Sequence, residues 1–226
     1  MISDSFPIAE RFVSINGEGV YAGRLAAFIR FPGCNLHCSY CDTQWAQDPE
    51  LTVEFVTIDE LAKWVADQPC SCVTITGGEP TLQSHLLDLA RALNALDSIE
   101  VIEIETNGSI DLSQLASERP AKMRFTMDYK LPSSGMEEQM RMKNFDLLGP
   151  EDVVKFVIGT HEDLETMVRV VRKHDLDQRC HVYLSPVFDQ MDPAVIVDFM
   201  REQRLTNATL QLQLHKIIWP DQERGV

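Results

Sequence analysis

Residues 24–43 read RLAAFIRFPGCNLHCSYCDT and place a predicted strand directly before a loop that carries three cysteines. Over residues 24–31 apolar side chains alternate with a second set, which is the period-two pattern of a β-strand. This pattern places Arg30 and Phe31 on opposite faces of the strand. Because Cys34, Cys38 and Cys41 follow within eight residues, their thiols can converge in one tight loop at the strand end.

The cysteine spacing predicts a metal centre and leaves two kinds open. Three soft sulfur ligands suit either zinc or an iron–sulfur cluster. A structural zinc site needs four protein ligands, and His37 could be the fourth. A four-iron cluster held by three cysteines instead leaves one iron open to a small molecule. The spacing alone favours the cluster over zinc.

Predicted strands and helices alternate along the remaining chain without a repeat or a low-complexity linker, so we expect a single domain over residues 1–226. Such strands pair in parallel, because a parallel connection needs a crossover of a dozen or more residues. A complete eight-stranded barrel takes about 250 residues. We therefore expect an α/β fold, an incomplete (β/α) barrel of about six parallel strands with a long N-terminal loop. A doubly wound sheet is the alternative.

Periodicity and capping residues predict the element boundaries. Thr57 and Glu60 form a capping box at a helix start, and Asp192 with Pro193 suits an N-cap and first helical position. The predicted helices cover residues 57–67, 81–96, 163–174 and 193–203, and the predicted strands cover residues 24–31, 72–76, 99–105, 124–128, 153–158, 181–184 and 208–218.

Composition excludes several classes of function. The chain of 226 residues has a formal net charge of −15, which disfavours direct binding of nucleic acid through a broad basic face. Its apolar runs are too short for a membrane-spanning helix, so we expect a protein without a membrane partner. The three cysteines outside the loop lie in apolar surroundings and are predicted to pack in the core. An oxygen-sensitive cluster would require a reducing cytoplasm.

A second motif follows the next predicted strand. Thr76-Gly77-Gly78-Glu79-Pro80 supplies glycines, whose backbone can approach a ligand closely and offer carbonyl groups to an ammonium group. Together with the Cys-x3-Cys-x2-Cys loop and Tyr40 before its last cysteine, this segment resembles the motifs of the radical S-adenosylmethionine superfamily. The resemblance implies that superfamily's partial barrel, a [4Fe-4S] cluster and S-adenosylmethionine.

A longer set of motifs narrows the resemblance to the 7-carboxy-7-deazaguanine synthases. The set extends from residue 10 to residue 216 and consists of Glu10-x-Phe12-x-Ser14-Ile15-Asn16-Gly17-Glu18-Gly19, Gly23, Phe28-x-Arg30, the cysteine loop with Cys41-Asp42-Thr43, Thr76-Gly77-Gly78-Glu79-Pro80, Glu105-Thr106-Asn107-Gly108 and Gln213-x-His215-Lys216.

This resemblance implies a carbon–nitrogen lyase of queuosine biosynthesis. Members of the family contract the ring of 6-carboxy-5,6,7,8-tetrahydropterin to 7-carboxy-7-deazaguanine and release ammonia, with Mg2+ assisting. S-adenosylmethionine is cleaved to a 5′-deoxyadenosyl radical and regenerated in each turnover. The implied partners are the small pterin substrate, a protein reductant such as flavodoxin or ferredoxin, and a second copy of the chain in a homodimer.

The resemblance also implies roles for individual residues. Position rather than resemblance makes Glu105 the candidate catalytic residue, because it lies at the end of a predicted strand and that end faces the pocket in a parallel barrel. The cluster would bind Cys34, Cys38 and Cys41, and Mg2+ would bind Thr43. The residues expected at S-adenosylmethionine are Tyr40, Cys41, Asp42, Gly78, Glu79, Asp128, Tyr129 and Lys130, and those expected at the substrate are Ile15, Asn16, Gly17, Glu18, Arg30 and Thr76.

A guanidinium can clamp a carboxylate through two parallel hydrogen bonds, which gives Arg30 a physical reason to bind a carboxylated substrate. The chain departs from its relatives in three places. Asn16 stands where most have Gln, Asp128-Tyr129-Lys130 replaces Ser-Pro-Lys, and residues 217–226 do not match the usual short ending, where Pro220 is a candidate substrate contact.

Two other functions remain open at this point. One is an activase that installs a glycyl radical on a partner protein, because such chains share the cysteine spacing. The other is a zinc-binding interaction module. The segment before the cysteines and the Gln-x-His-Lys motif favour the synthase.

Overall fold

The computed structural model describes residues 5–226, in which ten strands and seven α-helices are found. The strands are β1 (Ser5–Ile8), β2 (Glu10–Ile15), β3 (Leu25–Phe31), β4 (Glu54–Thr57), β5 (Cys72–Gly77), β6 (Val101–Thr106), β7 (Met123–Tyr129), β8 (Val153–Ile158), β9 (His181–Pro186) and β10 (Ala208–Leu210). The helices are α1 (Ile58–Ala66), α2 (Leu86–Asn94), α3 (Ser113–Ser117), α4 (His161–His174), α5 (Leu176–Arg179), α6 (Pro193–Gln203) and α7 (Leu214–Ile218).

The main sheet is open and has eight strands in the order β10-β9-β8-β7-β6-β5-β3-β2. Strands β3 and β5 to β10 pair in parallel, which makes seven parallel strands where the sequence predicted about six. The expected α/β partial barrel is confirmed.

The expected long N-terminal loop is wrong. Strand β2 pairs antiparallel with β3, and β1 pairs antiparallel with β4 in a separate two-stranded sheet. Phe12 stacks on Phe28 with ring centroids 4.9 Å apart, which fixes β2 on the edge of the main sheet.

The two faces of the parallel sheet differ in character. One face contributes alternate residues such as Ile29, Ile75, Ile104 and Phe156 to the hydrophobic core, where α1, α2, α4 and α6 bury their apolar side chains. The opposite face carries buried polar side chains such as Thr76 and Glu103 beside a small apolar cluster that includes Phe28. Because these four helices all pack on one face, the alternative of a doubly wound sheet, which has helices on both faces, is wrong.

Helix boundaries follow the capping residues. Thr57 and Glu60 form the predicted capping box, and Asp192 caps α6 with Pro193 in its first turn. The helix predicted over residues 81–96 is shorter in the structure, because Glu79 caps a separate 3-10 turn (Pro80–Leu82) and α2 starts only at Leu86.

The strand predicted over residues 208–218 is also wrong for most of its length. It ends at Leu210, after which the side-chain amide of Gln211 accepts from Gly19 N at 2.6 Å and donates to Gly19 O at 2.9 Å. Leu214 N then donates to Gly17 O at 3.1 Å as α7 begins. These tertiary bonds turn the chain away from the sheet.

No helix within residues 5–226 combines the length and the apolar content that a membrane crossing requires.

Candidate active site

The carboxyl ends of the parallel strands surround a cavity of about 630 Å³. Parallel strands place the residues after their carboxyl ends at a single edge of the sheet. The cysteine loop follows β3, the Gly77-Gly78 turn ends β5, and Asn107 follows β6 at this edge. The motifs that are far apart in sequence therefore meet around one space.

The three loop cysteines are free thiols that line this cavity. Hydrogen bonds to the rest of the fold hold their loop in place. Gly33 N donates to Ala46 O at 2.8 Å, and Ser39 Oγ donates to Ser133 O at 2.7 Å. Three soft donors on one rigid loop fit an iron–sulfur cluster with one open iron.

Nitrogen donors approach two of the sulfurs. Leu36 N and Asn107 Nδ2 donate to Cys34 Sγ at 3.4 and 3.7 Å, and Gln47 Nε2 donates to Cys41 Sγ at 3.7 Å. Such bonds stabilise a thiolate or a bound cluster, whose sulfurs carry negative charge. Among residues 5–226, no three His, Cys, Asp or Glu side chains converge closely enough to hold a single metal ion.

The turn after β5 requires glycine. A Cβ on Gly78 would collide with the carbonyl of Gly33, so only glycine lets the two loops touch. The buried carboxylate of Glu79 accepts from Asn107 N at 2.7 Å and from Thr106 Oγ1 at 2.8 Å. Glu79 therefore joins the glycine turn to the end of β6 from beneath the cavity.

A network of opposite charges forms the floor of the cavity. Lys155 Nζ lies 2.9 Å from Glu18 Oε2 and 3.6 Å from Asp128 Oδ2, and Lys130 Nζ lies 2.8 Å from Asp128 Oδ2. Burial alone would lower the pKa of Lys155, but Glu18 and Asp128 outweigh burial and raise it well above its usual value. Burial opposes the ionisation of Glu18, but Lys155 and Ser185 lower its pKa overall. Glu18 and Lys155 are therefore both ionised at neutral pH.

Two carboxyl groups on β6 have raised pKa values, in contrast to Glu18. Burial raises the pKa of Glu105, which lines the cavity, and raises that of Glu103 beneath it to about 8. Thr126 Oγ1 donates to Glu103 Oε1 at 2.5 Å, and Asn16 Nδ2 donates to Glu103 Oε2 at 3.3 Å. These two donors favour the ionised form of Glu103, but burial and the neighbouring carboxyl group of Glu105 outweigh them and keep Glu103 protonated below about pH 8.

Arg30 projects into the cavity from the edge of the sheet. Its Nε donates to Glu10 Oε1 at 2.8 Å across the β2–β3 pair. A guanidinium held through Nε can still bind a carboxylate in a bidentate manner through its two terminal nitrogens. The geometry thus suits an anionic ligand.

Helix α7 contributes His215 and Lys216 to the wall of the cavity. Lys216 Nζ lies 2.8 Å from Asp42 Oδ2, and Thr43 Oγ1 donates to Asp42 Oδ1 at 3.0 Å. A Cβ on Gly17 would collide with the imidazole of His215. Burial lowers the pKa of His215, so its ring is neutral at pH 7.

The structure brings most of the predicted site residues to the cavity. Its lining includes Ile15, Gly17, Glu18, Arg30, Cys34, Cys38, Tyr40, Cys41, Asp42, Thr43, Thr76, Gly78, Glu105, Asp128 and Lys130.

Three predicted side chains lie elsewhere. Asn16 accepts from Thr74 Oγ1 at 2.7 Å and donates to Glu103 Oε2 at 3.3 Å, and these bonds hold its side chain in a layer beneath the cavity. Glu79 is fully buried behind the glycine turn. Tyr129 points into the hydrophobic core and packs against Phe145 and Phe156, because it alternates in direction with Asp128 and Lys130.

Sequence reasoning missed several residues of the lining, of which Lys155 is central. A lysine in the apolar run VVKFVI of β8 is costly unless paired, and this could have signalled its role. Gln213, His215 and Lys216 belong to a quoted motif but had no assigned role. Trp45, Gln47 and Asn107 line the cavity as well.

The fold and the site define a class of protein. The model of the Radical SAM superfamily matches residues 28–202, and the chain belongs to this superfamily. SuiB from Streptococcus suis, solved bound to its precursor peptide SuiA, is similar with a TM-score of 0.57 at 14% identity, over 80% of this chain and 46% of that one.

Within the superfamily, the chain belongs to the 7-carboxy-7-deazaguanine synthases. It is 44% identical to that synthase from Clostridium acetobutylicum over 98% of this chain and 100% of the relative. It is 36% identical to the one from Chlorobaculum tepidum over 97% and 96%. The crystal structure of QueE from Escherichia coli superimposes with a TM-score of 0.74 at 22% identity, covering 92% of this chain and 94% of that one. The family resemblance read from the motifs is confirmed.

Proposed function

We propose that the chain converts 6-carboxy-5,6,7,8-tetrahydropterin into 7-carboxy-7-deazaguanine and ammonia, a step in queuosine biosynthesis. The reaction balances without a net oxidant, because the product is the pterin less one ammonia. The observation that carries the proposal is the placement of Arg30 and the three-cysteine loop around one cavity. A carboxylated pterin and a cofactor bound at the cysteines would share this cavity.

The cysteine loop is proposed to bind the cofactors. Cys34, Cys38 and Cys41 would hold three irons of a [4Fe-4S] cluster, leaving the fourth for S-adenosylmethionine. When bound, these groups supply the one-electron chemistry that abstracts a hydrogen atom from the substrate. Tyr40 and Asp42 line the cavity beside the loop, and the backbone of Gly78 faces the same space.

Asp128 is proposed to contact S-adenosylmethionine directly. Its Oδ2 accepts from Lys130, whereas its buried Oδ1 has no hydrogen-bond partner among residues 5–226. A buried acceptor without a partner is costly, and an ammonium or hydroxyl group of the cofactor would satisfy it. Glu79 and Tyr129 would act through the loops and strand that they hold.

The substrate is proposed to lie between Arg30 and Glu18. Arg30 would bind the carboxylate through its terminal nitrogens, and Glu18 would accept from the amino and ring N–H groups of the pterin. Lys155 keeps Glu18 ionised for this purpose. Ile15, Gly17 and Thr76 complete the wall, and Asn16 positions their loop through its bond to Glu103.

Glu105 is the proposed proton carrier. Its side chain lines the cavity, and burial raises its pKa toward the range in which a carboxyl group can both hold and release a proton.

Thr43 is proposed to bind Mg2+ together with substrate oxygens and water, as expected for a hard cation. Its hydroxyl lines the cavity beside Asp42. Thr43→Ala should therefore raise the Mg2+ concentration needed for half-maximal turnover.

We also propose a cytoplasmic homodimer that accepts electrons from flavodoxin or ferredoxin, as the family resemblance implies. Light scattering of the purified protein would test the dimer. Turnover with each reductant would test the electron donor.

The proposed function is tested by anaerobic turnover. Reconstituted and reduced protein receives S-adenosylmethionine, Mg2+ and the carboxytetrahydropterin, and mass spectrometry should detect 7-carboxy-7-deazaguanine. Absence of product from protein with an intact cluster would overturn the proposal. Iron and sulfide analysis of the same sample separates that outcome from a missing cluster.

A further inference from the structure

Residues 219–226, which we call the C-terminal strap, form an outer wall of the cavity. Five of these residues line it, and they are Trp219, Pro220, Gln222, Glu223 and Val226. The strap follows α7, which itself bonds to the loop at Gly17. A terminal segment placed across an active-site cavity can govern which molecules fit it.

The first anchor of the strap is Arg224. Its Cζ lies 4.0 Å from the ring centroid of Trp45, in cation–π contact. Trp45 belongs to the 3-10 turn (Gln44–Gln47) directly after the cysteine loop and lines the cavity. Its indole Nε1 is a buried donor with no hydrogen-bond partner within residues 5–226. An oxygen of a bound ligand would satisfy this donor.

The second anchor links the strap to Arg30. Gly225 N donates to Glu10 Oε2 at 3.2 Å, while Glu10 Oε1 accepts from Arg30 Nε at 2.8 Å. One carboxylate thus holds both the strap and the guanidinium assigned to the substrate. Arg30 Cζ also lies 6.0 Å from the ring of Trp45, so both anchors converge on the same corner of the cavity.

We propose that the strap is a substrate-positioning element, in which Arg224 and Glu10 hold Trp45 and Arg30 in the geometry that binds the carboxylate of the pterin. This inference rests on the proposed function. Arg224 and Glu10 are positioning residues, because they act through Trp45 and Arg30. The strap therefore governs affinity for the carboxylated substrate more than affinity for S-adenosylmethionine.

The main test replaces Arg224 in the reconstituted enzyme. Arg224→Ala removes the stacked guanidinium and should raise the KM for the pterin about three- to tenfold, as expected for loss of a cation–π contact. The kcat and the KM for S-adenosylmethionine should stay within about twofold, since the chemical groups remain. Arg224→Lys keeps the charge without the planar group, so its KM for the pterin should lie between those of the wild type and Arg224→Ala. Arg224 is exposed, so the variant is expected to fold.

Arg201→Ala is the matched control. It removes another exposed arginine, which pairs with Asp198 on α6 away from the cavity, and should leave every kinetic constant unchanged. A wild-type KM for the pterin in Arg224→Ala would overturn the strap proposal. If the wild type itself makes no product, the proposed function fails instead, so the two failures are distinguishable.

A readout independent of turnover is protection from trypsin. The bond between Arg224 and Gly225 should be cleaved more slowly when the pterin is present without reductant, because the ligand holds the strap in place. S-adenosylmethionine alone should protect it less. Equal cleavage with and without the pterin would also overturn the proposal.

Discussion

Lys155 Nζ and Glu18 Oε2 lie 2.9 Å apart, with the two side chains only 12% and 9% exposed. The lysine comes from β8 in the middle of the sheet, and the glutamate comes from the loop after β2 at its edge. Ser185 Oγ and Gln213 Nε2 also donate to Glu18, at 2.9 and 3.3 Å. This pair therefore ties the loop after β2 to the floor of the cavity.

Removal of Lys155 should destabilise the protein strongly. Lys155→Met leaves Glu18 and Asp128 without their shared cation, and breaking a buried ion pair costs about 3–5 kcal/mol. The free energy of unfolding from urea titration measures the loss. The double variant Lys155→Met with Glu18→Gln should recover part of it, whereas additive losses would contradict a coupled pair. Lys63→Met, which breaks an exposed pair with Asp67, should cost at most about 1 kcal/mol.

Glu103 should make stability depend on pH. Its pKa is raised to about 8 in the folded protein by burial, so the folded state binds the proton more tightly than the unfolded chain. Its contribution is fully present below the usual carboxyl pKa near 4.5 and declines as pH rises toward 8. The slope from this one group is at most about 1.4 kcal/mol per pH unit.

Glu103→Gln mimics the protonated acid, so its stability should decline less between about pH 5 and 8. Urea unfolding of the cluster-free protein at several pH values measures the slope. Glu100→Gln, at an exposed position, serves as the control. If the free energy of unfolding depends on pH in the same way for the wild type and Glu103→Gln, the pKa of Glu103 is not raised in the folded protein.

Arg30→Ala should weaken substrate binding without loss of the cluster. Removing a charged partner from a buried site costs about 2–5 kcal/mol of binding free energy. The dissociation constant of the pterin is the measurement, with iron content as a check. Arg24→Ala, which replaces an exposed residue directly before β3 that pairs with Glu100, should bind the pterin normally. Equal affinity in Arg30→Ala would remove Arg30 from the site.

Asn107→Leu should make the reduction potential of the cluster more negative. Asn107 Nδ2 approaches Cys34 Sγ at 3.7 Å, and hydrogen bonds to cluster sulfurs favour the more negative reduced state. A redox titration followed by electron paramagnetic resonance measures the midpoint potential. Gln47→Leu should shift it in the same direction, and an unchanged potential in both variants would exclude this role.

Local patterns predicted most of the fold. The alternation in β3, the short apolar run in β5 and the capping box at Thr57 depend on neighbouring residues, so the sequence alone was sufficient there. Strand β2 and helix α7 could not be read in this way, because β2 depends on pairing with β3, and α7 follows bonds from Gln211 and Leu214 to the distant loop at residues 17–19.

Sequence motifs pointed to the residues with recognisable chemistry. They did not point to residues such as Lys155, whose role depends on ion pairs formed in the folded protein. Motif chemistry led to the cysteines and Arg30, which line the cavity, whereas the ion pairs of Lys155 with Glu18 and Asp128 join residues that are far apart in sequence. The direction of Tyr129, by contrast, could have been read from the alternation of β7, since its neighbours Asp128 and Lys130 face the cavity.

The central claim is that three protein thiols hold a cluster with one iron left for S-adenosylmethionine. The most direct measurement is the electron paramagnetic resonance spectrum of the reconstituted, reduced protein before and after addition of S-adenosylmethionine. We expect a cluster signal that changes on addition of S-adenosylmethionine. Cys38→Ala should give no such signal, whereas Cys180→Ala should retain it. A cluster signal that S-adenosylmethionine leaves unchanged, or one that survives in Cys38→Ala, would contradict the account.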